Sequence, residues 1–285
     1  MSSRTPPRAS PRRAAIVAAG CVVATAVVYA LAVLTVRGQD LDSSAFGNLS
    51  PTFNPEAFDA TDSLLSTISF ASVALIGALI VALALVRGRG DLAAAAVLLL
   101  GGANITTQIL KAVLPRPDLL DDASDAAGGS FPSGHVTVAM SLAMAFTLVS
   151  PRAVRPLVAT AGTLYAGGVG IAVIALDWHR PSDVIGAYLV VTAWGAAAAG
   201  LVGAGRSGRG RSPGAERVAA WAAALLVVAF AVVAGVTAAD RFDVLSVVDD
   251  RTAFAAASIA VGAAAAVTMM LFFAALRGDE VAPAD

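Results

Sequence analysis

The stretch DVIGAYLVVTAWGAAAAGLVGA, from Asp183 to Ala204, holds a single charged residue, and that residue is its first. As a helix it is apolar on every side and has no polar face to turn toward water. At this length it reaches about 33 Å, enough to cross a hydrocarbon core of ~30 Å. Seven further stretches read the same way, giving eight spans: residues 14–36, 63–86, 92–113, 133–150, 157–176, 183–204, 218–239 and 253–276. The fourth is the shortest and opens on a polar motif, so protein is expected to shield part of it. None alternates with a period of two, which excludes the strands of a membrane β-barrel. The expected fold is all-α: a polytopic transmembrane bundle.

Composition agrees. Only 14% of residues are charged and 58% are hydrophobic, whereas soluble domains carry about 25% charge. A net charge of −1 sets up no field toward nucleic acid, so no nucleic-acid partner is expected. Cys21 is the single cysteine, which rules out an intrachain disulfide and a cysteine-based metal cluster. Lys111 is the one lysine among 19 basic residues; with the abundant alanine, this skew points to a GC-rich bacterial genome. The first span follows Arg4, Arg8, Arg12 and Arg13, as a signal peptide would. Its apolar run is longer than the 7–15 residues of a signal core, so a retained signal-anchor helix is expected.

Basic residues set the orientation. With the N-terminus inside, the cytoplasmic segments hold 13 of the 19: Arg4, Arg8, Arg12, Arg13, Arg87, Arg89, Arg152, Arg155, Arg206, Arg209, Arg211, Arg217 and Arg277. The opposite face keeps Arg37, Lys111, Arg116, Arg180, Arg241 and Arg251, together with 15 of the 20 acids. The expected organisation is a cytoplasmic tail (1–13), a six-helix core (14–204), a Gly/Ser/Arg-rich cytoplasmic linker (205–217), two extra helices (218–276) and a second cytoplasmic tail (277–285). The segment from Arg37 to Asp62 reads as an outer loop; its Asn48-Leu49-Ser50 is taken as an ordinary loop sequence.

Both histidines of the chain, His135 and His179, fall at outer membrane boundaries among other polar residues. Ionisable groups at such positions are costly to keep and mark function. In Gly128-Gly129-Ser130-Phe131-Pro132-Ser133-Gly134-His135, small residues and a proline open a helix whose free N–H groups suit an anion. His135 lies one turn in, placed to hand over a proton. In Asp177-Trp178-His179-Arg180-Pro181-Ser182-Asp183, His179 and Asp183 are four apart and share a face. A carboxylate on one imidazole nitrogen leaves the other free to attack. Trp178 reads as an interfacial anchor. Upstream, Asn104, Thr107, Gln108 and Lys111 form a polar stripe that must face the bundle interior, followed by Pro115-Arg116-Pro117.

Lys-spacer-Arg-Pro, then Pro-Ser-Gly-His, then His-x-x-x-Asp, in this order on successive outer loops, resembles the three-part signature of the type 2 phosphatidic acid phosphatase (PAP2) family, which is related to the vanadium haloperoxidases. The likeness covers roughly residues 60–204. It implies a six-helix core, phosphatase activity through a phosphohistidine, and neither metal nor other cofactor. His179 would then be the nucleophile, Asp183 its orienting carboxylate and His135 the proton donor to the leaving group. Lys111, Arg116 and the N–H groups of Ser133 and Gly134 would hold the phosphoryl oxygens.

The chain departs from that signature twice. Four residues, not six, separate Lys111 from Arg116. Ala172 and Val173 stand where Ser-Arg is usual, and Arg180 is the obvious replacement cation. A membrane-embedded site with an outward opening implies an amphiphilic substrate: phosphatidic acid, phosphatidylglycerol phosphate, or a polyprenyl phosphate or diphosphate. The expected location is the cell membrane, with both termini cytoplasmic and the site extracytoplasmic. A lipid-phosphate binder without turnover and a transporter are the alternative readings.

Overall fold

The structure, a computed structural model, describes residues 8–9, 11–45, 55–66, 68, 70–120, 130–204, 250–276 and 278–279. Among them run nine α-helices: α1 (Pro11–Val28, continued by a π-helical turn, Tyr29–Val33), α2 (Val36–Ser44), α3 (Pro55–Ser66), α4 (Phe70–Val86), α5 (Gly90–Val113), α6 (Gly134–Val149), α7 (Arg155–Ala175), α8 (Pro181–Ala204) and α9 (Asp250–Leu276). Five stretches are long and apolar enough to cross a membrane: Pro11–Val33, Gly90–Val113, Arg155–Ala175, Pro181–Gly203 and Thr252–Leu276. Val73–Val86 and Gly134–Val149 are shorter apolar helices. The all-α polytopic bundle expected from sequence is the fold observed. The expected span 218–239 and the linker 205–217 lie outside the described residues.

Two expectations change. The second span is not continuous from residue 63: α3 ends at Ser66 and α4 begins at Phe70. Ser66 Oγ turns back onto the Ser63 carbonyl (2.7 Å) and Ile68 N–H onto Leu65 O (2.9 Å). Hydroxyl side chains that bond to nearby backbone compete with helix propagation in this way. The segment 37–62, expected to be an outer loop, also contains more than loop, since α2 and part of α3 occupy it.

Helix α8 is the hub, packing against α1, α5, α6 and α9. The expected shielding of the fourth span is found: from Val136 onward α6 is almost wholly buried, with Phe146 the exposed exception. Close helix approach relies on missing side chains. A Cβ on Gly102 would sit 2.4 Å from the Trp194 ring, and one on Gly186 would sit 2.5 Å from the Phe131 ring. The second contact lets α8 press directly on the loop that leads into α6. Polar groups between the helices are bonded across them, as an apolar surrounding favours: Trp194 Nε1 donates to Thr106 Oγ1 (3.0 Å) and Tyr188 to the Ala166 carbonyl (2.8 Å).

Helices α1 and α8 run antiparallel. Ala14, early in α1, lies against Gly200, late in α8, while Tyr29 at the other end of α1 donates to the Pro115 carbonyl. Arg8–Ala9 and Gly278–Asp279 pair as two-residue antiparallel strands. The two tail segments therefore meet at one end of the bundle, and the start of α8 lies at the other.

Candidate active site

The reversal between α7 and α8 positions the second histidine. Asp177 takes a left-handed conformation (φ 61°), which a short polar side chain tolerates better than most. With that residue just past the helix end, Trp178 N–H (3.0 Å) and His179 N–H (3.1 Å) both fold back onto the Val173 carbonyl, a closure of the kind that commonly ends helices. Pro181 then opens α8, as its sequence position predicts. Val173, where an arginine is usual, is fully buried in the apolar core.

Asp183, fully buried, uses both its oxygens. Oδ1 accepts from Arg116 Nη2 (3.1 Å) and Ser130 Oγ (3.4 Å); Oδ2 accepts from the Arg180 N–H (3.2 Å) and faces His179 Nδ1 (3.3 Å). An ionised carboxylate offers only acceptors. Nδ1 must therefore carry the hydrogen of that pair, which leaves Nε2 as the lone-pair nitrogen.

Arg116 is buried, and its Nη2 is shared among Asp183, Ser182 Oγ (3.2 Å) and Asp42 (3.3 Å). Its Nε and Nη1 are buried without an acceptor among the described residues. Buried donors are seldom left so, and an anion bound beside them would complete their bonding. Lys111, in the last turn of α5, makes no hydrogen bond or ion pair among the described residues. Its Nζ lies 3.7 Å, and Gln108 Nε2 3.8 Å, from the point where a Cβ on Gly134 would be. The glycine therefore leaves open space between these donors and the start of α6. Higher up the stripe, Asn104 Nδ2 reaches Ser141 Oγ (3.3 Å) and Thr107 pairs with Thr137 (2.9 Å). The stripe thus faces α6, inside the bundle.

Residues 92–207 match the PAP2 superfamily. The likeness is confined to that segment. It begins later than the likeness read from the motifs, at α5, and it contains Lys111, Arg116, His135, His179 and Asp183. No curated protein and no solved structure matches the chain. The activity that goes with the PAP2 superfamily is of the phosphatase type, and the apolar helices make the chain a multi-pass membrane protein.

One expected donor of this segment is engaged within the protein. Ser133 caps α6, with its Oγ accepting from Val136 N–H (3.4 Å), but its own N–H donates to the Asp183 carbonyl (2.9 Å). That N–H is committed within the protein. The N–H groups with no acceptor inside the helix are those of Gly134 and His135. His135 stands beside Trp178, ring centroids 5.0 Å apart. Trp178, read from sequence only as an anchor, packs against a proposed acid–base group. Arg180 is half-buried, and its Nε points to Ser43 Oγ (3.4 Å) on α2.

Outside the matched segment, sequence reasoning missed Asp42, Gln39 and Tyr29. Asp42 is buried and accepts from Ser182 N–H (2.8 Å), Ser182 Oγ (2.5 Å) and Arg116. Burial, aided by the charge of Asp183, pushes its carboxyl up to about 6, although the Ser182 bonds and the Arg116 charge oppose the rise. No motif flags this residue; one acid among several in the segment 37–62 carries no signal.

Proposed function

We propose that the protein hydrolyses a lipid phosphomonoester or lipid diphosphate at the outer face of the cell membrane, through a phosphohistidine on His179 and without a metal. The observation that carries this reading is the buried His179–Asp183–Arg116 cluster, in which a tautomer-fixed imidazole stands beside a guanidinium with two unused donor nitrogens. Nε2 attacks phosphorus, a P–N bond forms and the P–O bond to the leaving group breaks. Protonated His135 supplies a proton to the departing oxygen. Water then attacks the phosphohistidine, neutral His135 takes the water's proton, the P–N bond breaks and inorganic phosphate leaves. Arg116, Lys111 and the N–H groups of Gly134 and His135 hold the equatorial oxygens, where transition-state charge is spread. Phosphate release by the purified chain from phosphatidic acid, phosphatidylglycerol phosphate and polyprenyl phosphates or diphosphates tests the reading. Turnover that survives His179→Ala overturns the mechanism, and no turnover on any of them favours a binder.

Arg180 is the proposed third cation. Its backbone N–H already binds Asp183, and Pro181 biases it toward an extended conformation that keeps its long side chain beside the site. Arg180→Ala is expected to lower kcat/KM about 10²-fold, as loss of a charge-stabilising donor commonly does. Near-normal kinetics would return Arg180 to a purely structural bond with Ser43.

The basic split of 13 to 6 and the meeting of the two tail segments at the end away from His179 support cytoplasmic termini and an outward-facing site. In a Cys21-free background, a cysteine at Ser44 is expected to react with an impermeant reagent on intact cells, and one at Gly208 is not. The reverse pattern would invert the topology.

A further inference from the structure

The loop that carries Arg116 cannot hold itself. Residues Leu114–Leu120 form no helix or strand, and Pro115 and Pro117 have no N–H to contribute. Beyond Leu114 N–H to Leu110 O and Leu120 N–H to Asp118 Oδ1, its bonds come largely from the N-terminal segment ahead of residue 92. The Tyr29 hydroxyl donates to the Pro115 carbonyl (2.5 Å). Gln39 Nε2 donates to Pro117 O (2.6 Å) and to Val33 O (2.8 Å), while its Oε1 accepts from Leu119 N–H (3.3 Å). Asp42, one turn along α2 from Gln39, holds Arg116 Nη2 and both polar groups of Ser182.

Gln39 and Asp42 are the two buried residues of α2, and both are polar. A short outer helix that buries an amide and a carboxylate toward one loop is built to fix that loop, because each such group must be fully bonded to be tolerated. The geometry also decides how Arg116 presents itself. Asp42 and Asp183 draw Nη2 to the protein side, and Nε and Nη1 are the nitrogens left without an acceptor. A spacer of four residues after Lys111 leaves little slack, so an external brace takes over the placement of the guanidinium.

We infer that α2 is a splint for the phosphate site, with Asp42 and Gln39 as positioning residues that act through Arg116; this rests on the reading of Arg116 as a phosphoryl ligand. The probe is orthovanadate, a phosphate mimic, titrated against the full chain in detergent, alongside KM and kcat for phosphate release. Asp42→Asn, which keeps the shape and an acceptor for Ser182, is expected to raise the vanadate Kd and KM about 10-fold with little change in kcat, the effect of losing one charge-assisted bond. In an Arg116→Ala background the same substitution is expected to add nothing, as for residues acting through one another. Tyr29→Phe removes a single hydroxyl from the brace and is expected to shift Kd in the same direction, which keeps the test open where Asp42→Asn does not fold. A role for Asp42 in folding alone would give equal losses with and without Arg116. Independent effects of Asp42 and Arg116, or wild-type Kd in both Asp42→Asn and Tyr29→Phe, overturn the splint while leaving His179-dependent turnover standing. Coupled vanadate binding without any turnover keeps the splint and removes the catalytic reading.

Discussion

Replacing His179 with alanine is expected to lower phosphate release by about 10⁵-fold or more, the scale on which removal of a covalent nucleophile acts. Its ring is fixed from two sides: the backbone N–H is tied to Val173 O, and Nδ1 is paired with a carboxylate that is itself fully buried. Alanine keeps the backbone bond and deletes the buried ring, which leaves Asp183 one donor short, so stability should fall by about 1–3 kcal/mol while the bundle stays folded. The loss should therefore appear in kcat and not in the amount of folded protein. Rapid quenching of wild type with a labelled substrate should trap an acid-labile phosphate on His179, and the alanine variant should trap none. A label on another side chain would remove His179 from the nucleophile's place. Unlabelled enzyme with full turnover would instead point to direct attack by water.

The sequence carried the bundle because lipid imposes one solution on a long apolar run: a helix with all its backbone groups bonded internally. It carried His135, His179, Asp183, Lys111 and Arg116 because their spacing is local, within single helices and the turns beside them. The break between Ser66 and Phe70 was not read from the sequence, because a polar run as short as Ser66-Thr67-Ile68-Ser69 can also sit inside a long apolar helix; the ending of α3 rests on the local bonds Ser66 Oγ to Ser63 O and Ile68 N–H to Leu65 O. The committed N–H of Ser133 was equally hidden, because its acceptor is the carbonyl of Asp183 on another helix. Asp42 and Gln39 are the clearest case. Their partners in the site lie from 74 to 140 residues beyond them in the chain, and such distant pairings leave no periodicity to read.

Asp183→Asn is expected to lower kcat by about 10³–10⁴-fold, the range seen when a carboxylate that orients a catalytic imidazole becomes an amide. Both carboxylate oxygens accept: Oδ1 from Arg116 and Ser130, Oδ2 from the Arg180 N–H and His179. Asparagine supplies one accepting oxygen and one donating NH₂, so each of its two orientations breaks something. With the NH₂ toward Arg116, two donors meet in a buried space and the guanidinium is pushed from its place. With the NH₂ toward His179, Nδ1 must become the acceptor, the hydrogen moves to Nε2, and the attacking lone pair is gone. The first orientation predicts a raised KM, through Arg116, and the second a lowered kcat with KM little changed. The buried Arg116 charge opposes the first more strongly, because an NH₂ set against a buried cation left with Asp42 as its one carboxylate partner is the costlier defect. The loss should thus fall on kcat, with slow formation of the phosphohistidine in single-turnover quench experiments. Normal phosphohistidine formation with a slow second step would place Asp183 in the hydrolytic half of the reaction instead, and near-normal kcat would show that the imidazole tautomer is set by some other group.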